Sequence, residues 1–116
     1  MSMQHLLLVD DEEAIVYVFR KYLERAGYAV SSANSGLDAI PIFESERIDV
    51  VVTDLRMPGL SGEGLITRLR SARPSLPAVI VTAYAGECKL HLAGVPVLNK
   101  PVSPDELVAA VQRVLA

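Results

Sequence analysis

The chain is short of cysteine, of histidine and of positive charge. Its 116 residues include a single cysteine, Cys88. That excludes an internal disulfide framework and any zinc site built from cysteines. The same usage fits a reducing cytoplasm. The two histidines, His5 and His91, have no paired ligand or nucleophile at readable spacing and are expected at the surface or an interface. A net charge of −3 leaves no basic stripe for direct nucleic-acid binding. No apolar run approaches the roughly 20 residues that span a bilayer, so no membrane insertion is expected. Met1 to His5 lack the charged start and cleavage pattern of a signal peptide. There is no glycine-rich phosphate loop, no repeat, no low-complexity tract and no linker.

What is there is hydrophobic and regularly interrupted. A hydrophobic fraction of 51% supports a real core and argues against disorder. The length fits one domain over residues 1–116. Leu6–Val9 is a short apolar run that predicts a buried strand. Ile15, Val18, Phe19, Tyr22, Leu23 and Ala26 then recur at helical spacing, and Gly27 closes that helix. Tyr28–Ser32 is half-polar, as befits an edge strand. Ser35 is placed to cap a helix reaching about Arg47, with Ile40 and Phe43 inward. Ile48–Thr53 predicts a strand covered on both faces. A loop at Met57-Pro58-Gly59 leads to a helix over Gly62–Ala72, striped by Leu65, Ile66 and Leu69. Ala78–Val81 and Val95–Asn99 are the fourth and fifth strands. Ser103-Pro104-Asp105-Glu106 combines an N-cap serine, a proline at the first helical position and a glutamate three residues after the cap. Val108, Val111, Val114 and Leu115 face inward from that last helix.

Strand and helix thus alternate five times, which predicts an α/β fold with a parallel sheet covered on both faces. Two places disturb the pattern. Pro41 falls inside the second helix, where it removes a hydrogen bond and opposes the carbonyl of Leu37, at a cost of about 3 kcal/mol in a regular helix. A kink, or a helix starting later than Ser35 suggests, is expected. Ala85–Gly94 has glycine near both ends and little room, so the fourth helix should be short, irregular or absent. Cys88 is expected as a small residue of that segment.

Four of the five strand runs end in a residue with chemistry. Asp10-Asp11 follow the first, Asp54 the third, Thr82 the fourth and Lys100-Pro101 the fifth. Open α/β sheets build their sites outside the carboxyl ends of their strands. Carboxylates crowded there repel one another, and Mg²⁺, with its preference for oxygen ligands, would relieve that. Each residue alone has an ordinary reading. Asp10-Asp11 can cap the first helix, Asp54 can cap the loop before the third, Thr82 can be a plain strand residue and Lys100 a solvated charge. X-Pro bonds tolerate cis, and a cis bond would fold Lys100 back over the sheet edge. Its ammonium would then meet a phosphoryl oxygen as a point charge. What favours a phosphoryl site is that all these residues fall at one edge of the sheet.

The motifs Leu7-Leu8-Val9-Asp10-Asp11-Glu12, Val52-Thr53-Asp54-Leu55-Arg56-Met57-Pro58-Gly59, Val81-Thr82-Ala83 and Asn99-Lys100-Pro101 resemble the receiver domain of two-component response regulators, over nearly the whole chain. The resemblance implies a flavodoxin-like (βα)5 fold with sheet order 2-1-3-4-5. It implies that Asp54 accepts a phosphoryl group from a phosphohistidine on a sensor histidine kinase or a histidine phosphotransfer protein. It implies Mg²⁺, or Mn²⁺, held by Asp11, Asp54 and the backbone carbonyl of Arg56, with Asp10 acting through water. Thr82 and Lys100 would contact the phosphoryl oxygens. Such a domain phosphorylates itself from its partner and slowly dephosphorylates itself, without turning over a metabolite. A phosphorylation-independent binding module on the same fold is the competing expectation. A small phosphatase is disfavoured because no second aspartate lies two residues beyond Asp54.

The resemblance also has departures. Members of that family commonly carry Tyr or Phe three residues before the lysine, where this chain has Val97. The expectation is that it does not signal by an aromatic swing. Arg56 and Tyr84, each two residues past a site residue, should rim the site, either as plain solvent-exposed loop side chains or as a bulky pair that slows water access. The short fourth helix and the Ser-Pro-Asp-Glu-Leu start of the last one resemble receivers attached to hybrid sensor kinases. A stand-alone receiver and a segment of a larger regulator are both compatible with the sequence.

Overall fold

The computed structural model of the chain describes residues 3–88 and 92–116. Five strands form one parallel sheet: β1 (His5–Val9), β2 (Ala29–Ala33), β3 (Val50–Thr53), β4 (Ala78–Thr82) and β5 (Val97–Asn99). Their order is β2-β1-β3-β4-β5, the flavodoxin-like arrangement. The chain leaves β1 toward β2 and returns to its other side at β3. That reversal opens a crevice at the carboxyl ends of β1 and β3.

The period-two pleat divides β1 between two cores. Leu6 and Leu8 pack with α1 (Glu13–Arg25) and α4 (Pro104–Leu115) through Phe19, Leu23, Leu107 and Val111. Leu7 and Val9 pack on the other face with α2 (Gly36–Ser45) and α3 (Gly62–Ala72) through Ala39, Leu65 and Leu69. Ile66 joins Leu55, Ala78 and Ile80 in a third cluster beneath the β4–β5 connection. The helix starts follow the serines. Ser35, Ser61 and Ser103 each accept a hydrogen bond from the backbone N–H three residues on, at 3.1 Å.

The structure corrects several sequence expectations. The inward stripe of α1 is Val16, Phe19 and Leu23, while Val18 is 38% exposed. At 100° per residue, Val18 falls to one side of the stripe that Val16 completes. The second helix starts directly after Ser35 and runs through Pro41 to Ser45, neither later nor as far as Arg47. Pro41 and Leu37 are both exposed, so the break in the hydrogen-bond pattern falls on the solvent side of the helix. β3 begins at Val50, although Ile48 is fully buried beside it. β5 begins at Val97 and holds only three residues. Between β4 and β5 the described residues contain a single 3-10 turn, Ala85–Glu87, and no α-helix. His91 lies outside the described residues. Among those described, no helix is long and apolar enough to cross a membrane.

Candidate functional site

The two central strands deliver the acids as extensions of their own hydrogen-bond ladder. Asp10 N–H donates to Ala33 O at 3.2 Å, and Asp54 N–H donates to Val9 O at 2.9 Å. Both side chains stay nearly covered, with Asp10 2% and Asp54 7% exposed. Neither Asp10 nor Asp11 caps α1, whose N-cap is Glu12 with no side-chain cap bond. Asp10 Oδ1 accepts the Glu12 N–H at 2.9 Å and so fixes the entry to α1. Oδ2 accepts from Lys100 Nζ at 2.9 Å. Asp54 does not cap α3, because Ser61 does. Its Oδ1 accepts the N–H of Leu55 at 2.7 Å, and its Oδ2 lies 3.5 Å from Lys100 Nζ.

Position 62 must be glycine for this loop to close. Gly62 N–H donates to Leu55 O at 2.8 Å. A Cβ there would collide with the Asp54 carbonyl oxygen and meet Leu55 Cα at 3.1 Å. The same carbonyl accepts the Thr53 hydroxyl at 2.9 Å.

Lys100 follows β5, and its peptide bond to Pro101 is cis. Its N–H donates to Thr82 O at 2.8 Å, which aligns it with the end of β4. Thr82 is fully buried, and its Oγ1 accepts the N–H of Tyr84 at 3.1 Å. The hydroxyl proton of Thr82 is therefore available to an acceptor.

The electrostatics are those of too many acids around one cation. Carboxylate oxygens of Asp10, Glu12 and Asp54 lie within 4.8 Å of one another. Glu12 was given no role by the sequence, and Asp11 is exposed and outside that trio. Burial pushes the Asp10 carboxyl above its ordinary 3.8, against the hydrogen bond from Lys100, and the field of Asp54 adds to the rise. Burial alone would lower Lys100, but its hydrogen bond to Asp10 and the fields of Asp10, Asp54 and Glu12 carry it above 10.5. One ammonium against three carboxylates leaves a net negative pocket lined by hard oxygen donors. That set fits Mg²⁺ or Mn²⁺, which take carboxylate, carbonyl and water ligands.

Arg56 and Tyr84 are both exposed, and they touch. The Arg56 guanidinium lies over the Tyr84 ring at 4.4 Å from its centroid. It also pairs with Glu87 at 3.4 Å, a partner the sequence did not suggest. Val97 is 37% exposed on β5.

Comparison with known proteins agrees with this geometry. Residues 6–112 match the family model of the response regulator receiver domain. The response regulator SaeR of Staphylococcus epidermidis is 34% identical over 118 residues, covering 98% of this chain and 51% of that protein. The chain thus spans about half the length of that relative. Among solved structures, the chemotaxis response regulator CheY4 of Vibrio cholerae has a TM-score of 0.88 at 29% identity, covering 98% of this chain and all of that one (100%). A response regulator receiver domain protein from Clostridium thermocellum has a TM-score of 0.86 at 29% identity, covering 97% of this chain and 94% of that one. Matched along nearly its whole length and carrying its acids at the switch point of the sheet, the chain belongs to the receiver-domain family of two-component response regulators.

Proposed function

We propose that the chain is a phospho-accepting switch in which Asp54 takes a phosphoryl group from the phosphohistidine of a sensor histidine kinase or a histidine phosphotransfer protein. The observation that carries this reading is the Lys100 ammonium, set 2.9 Å from Asp10 and 3.5 Å from Asp54 in a nearly covered acidic pocket. Phosphoryl transfer asks little of a protein beyond positioning and charge neutralisation. A carboxylate oxygen of Asp54 bonds to phosphorus as the P–N bond breaks, and the imidazole leaves with that electron pair. The product is an acyl phosphate.

Each neighbour has a task in that step. The Leu55 N–H holds one Asp54 oxygen and so orients the carboxylate. Lys100 exchanges an aspartate oxygen for a phosphoryl oxygen. Thr82 donates its free hydroxyl proton to another. Asp10, Asp11, Asp54 and the backbone carbonyl of Arg56 would hold Mg²⁺ or Mn²⁺, with Glu12 close enough to join them. The ion, when bound, offsets the charge of the transferring group. Water entering in line then releases phosphate slowly, at a rate set by the Arg56–Tyr84 pair on the rim. The domain works in the cytoplasm, alone or as part of a larger regulator or hybrid kinase.

The test is intact-mass measurement after incubation with acetyl phosphate and Mg²⁺. The expected result is a gain of one phosphoryl group that is absent in Asp54→Asn and absent when the metal is chelated. A chain that stays unmodified, with no response to beryllofluoride, would instead be a phosphorylation-independent binding module.

A further inference from the structure

Among the described residues four polar or charged side chains are buried: Asp10, Thr53, Asp54 and Thr82. The acceptor reading gives tasks to three of them and none to Thr53. That residue closes β3, a strand otherwise made of Val50, Val51 and Val52. Valine would fill nearly the same space, since it carries a methyl where threonine carries its hydroxyl. A buried hydroxyl costs free energy unless it is bonded. Here Thr53 donates its proton to the Asp54 carbonyl oxygen at 2.9 Å.

That carbonyl sits where the ladder runs out. The Asp54 N–H still donates to Val9 O, but among the described residues no backbone N–H reaches the Asp54 carbonyl. The Thr53 hydroxyl takes the place of the missing rung. Gly62 closes the other side, where a Cβ would collide with the same oxygen. The oxygen is therefore held from two directions. A peptide group is planar, and its C=O and N–H point opposite ways. Holding the Asp54 oxygen thus sets the direction of the Leu55 N–H across the same bond. That N–H donates to Asp54 Oδ1 at 2.7 Å, which leaves Oδ2 turned toward Lys100 Nζ at 3.5 Å.

We propose that Thr53 is a positioning residue which, through the peptide plane between Asp54 and Leu55, selects Oδ2 of Asp54 as the oxygen that attacks phosphorus. This rests on the phospho-acceptor reading. The Thr53 hydroxyl meets the backbone carbonyl and not the carboxylate, so it acts through Asp54 and not on the phosphoryl donor. Without the hydroxyl the plane has only Gly62 behind it and rocks. The Leu55 N–H then loses its aim, and the carboxylate turns about its Cβ–Cγ bond, a torsion with broad wells. The time spent by one oxygen in line with phosphorus falls, and with it the rate, because small misplacements of reacting atoms are costly.

The experiment compares two pairs that differ by the hydroxyl: wild type with Thr53→Val, and Thr53→Ser with Thr53→Ala. Each protein is followed by intact mass during incubation with acetyl phosphate and Mg²⁺, and by the NMR shift of the Leu55 amide proton before the donor is added. In the reaction the Oδ2–P bond forms as the P–O bond to the acetyl group breaks, and acetate leaves with the electron pair. A short hydrogen bond to a carboxylate should hold the Leu55 proton far downfield in the wild type and in Thr53→Ser. In Thr53→Val and Thr53→Ala it should move upfield, and phosphoryl gain should slow about tenfold. If Thr53→Val does not fold, the serine and alanine variants decide, because both lack the threonine methyl and only one has the hydroxyl. A rate that does not follow the hydroxyl within a folded pair, or a Leu55 proton that ignores it, overturns the positioning role and leaves the acceptor reading intact. A wild type that gains no phosphoryl group overturns both.

Discussion

The two halves of the sheet are held differently. β1 and β3 lie between two helical layers, and every residue of β3 is buried. β5 is three residues long with two of them exposed, and it follows a segment with no α-helix among the described residues. Asp10 and Asp54 stand on the first half; Thr82 ends β4 and Lys100 follows β5. The acids thus occupy the part that packing makes rigid. Of the groups that must change partner, Thr82 ends β4, buried throughout, and only Lys100 follows the strand with the least packing behind it. Functional motion is drawn from the less stable end of a structure, and here one site straddles the boundary.

Five substitutions would break or sharpen that contrast. Gly62→Ala should be the most damaging, because its Cβ strikes the backbone of Asp54 and Leu55 rather than a flexible side chain. A loss of about 4 kcal/mol in urea unfolding is expected, in the range reserved for rigid clashes. A near-neutral result would show the acceptor loop to be softer than its packing implies.

Lys100→Met comes next. It leaves the nearly buried Asp10 without its cation, which costs about 3 kcal/mol in the metal-free domain. Mg²⁺ should then raise the melting temperature of the variant more than that of the wild type, since binding to the folded state alone stabilises it. The gap has a defined pH dependence. The folded pKa of Lys100 is raised above 10.5, so its stabilisation is complete below 10.5 and fades as pH rises through the folded value. Asp10, also raised, favours the folded state below 3.8 and loses that contribution as pH climbs through its own folded value. A stability gap that stays flat through the alkaline range would reject the Lys100 assignment.

Arg56→Ala and Tyr84→Ala should each shorten the phosphoryl lifetime, by about tenfold, or about 1.4 kcal/mol of barrier. Unchanged decay of the phosphorylated mass would remove the rim from the account of water access. Val97→Ala should do least. At 37% exposure it should cost about 0.5 kcal/mol in urea unfolding. A loss of about 2 kcal/mol would show β5 to be held as firmly as β3.

The sequence carried the sheet order through the resemblance, and the placement of chemistry at strand ends through apolar runs that stop at a charge. The caps at Ser35 and Ser103 were legible because capping is local. Features that depend on distant backbone were not. Four consecutive acids, Asp10 to Glu13, look alike in sequence, and only the extended backbone at Glu12, with φ −93° and ψ 109°, brings its carboxylate into the group while Asp11 stays outside the trio. Val16 and Val18 are equally apolar, and only the facing sheet chooses between them. Glu87 gave no hint because its partner lies 31 positions earlier. Gly62 did leave a trace, as a glycine at the first turn of a helix already capped by Ser61, but its reason is the Asp54 carbonyl across the loop.

The backbone bonds Asp10 N–H to Ala33 O and Asp54 N–H to Val9 O have a consequence in time. Both amides are rungs of the central ladder, so neither can exchange its hydrogen with solvent until the middle of the sheet parts. Amide exchange at Asp10 and Asp54 should accordingly be among the slowest in the molecule. A phosphoryl group arriving at Asp54 meets a carboxylate whose anchorage lasts as long as the folded state itself.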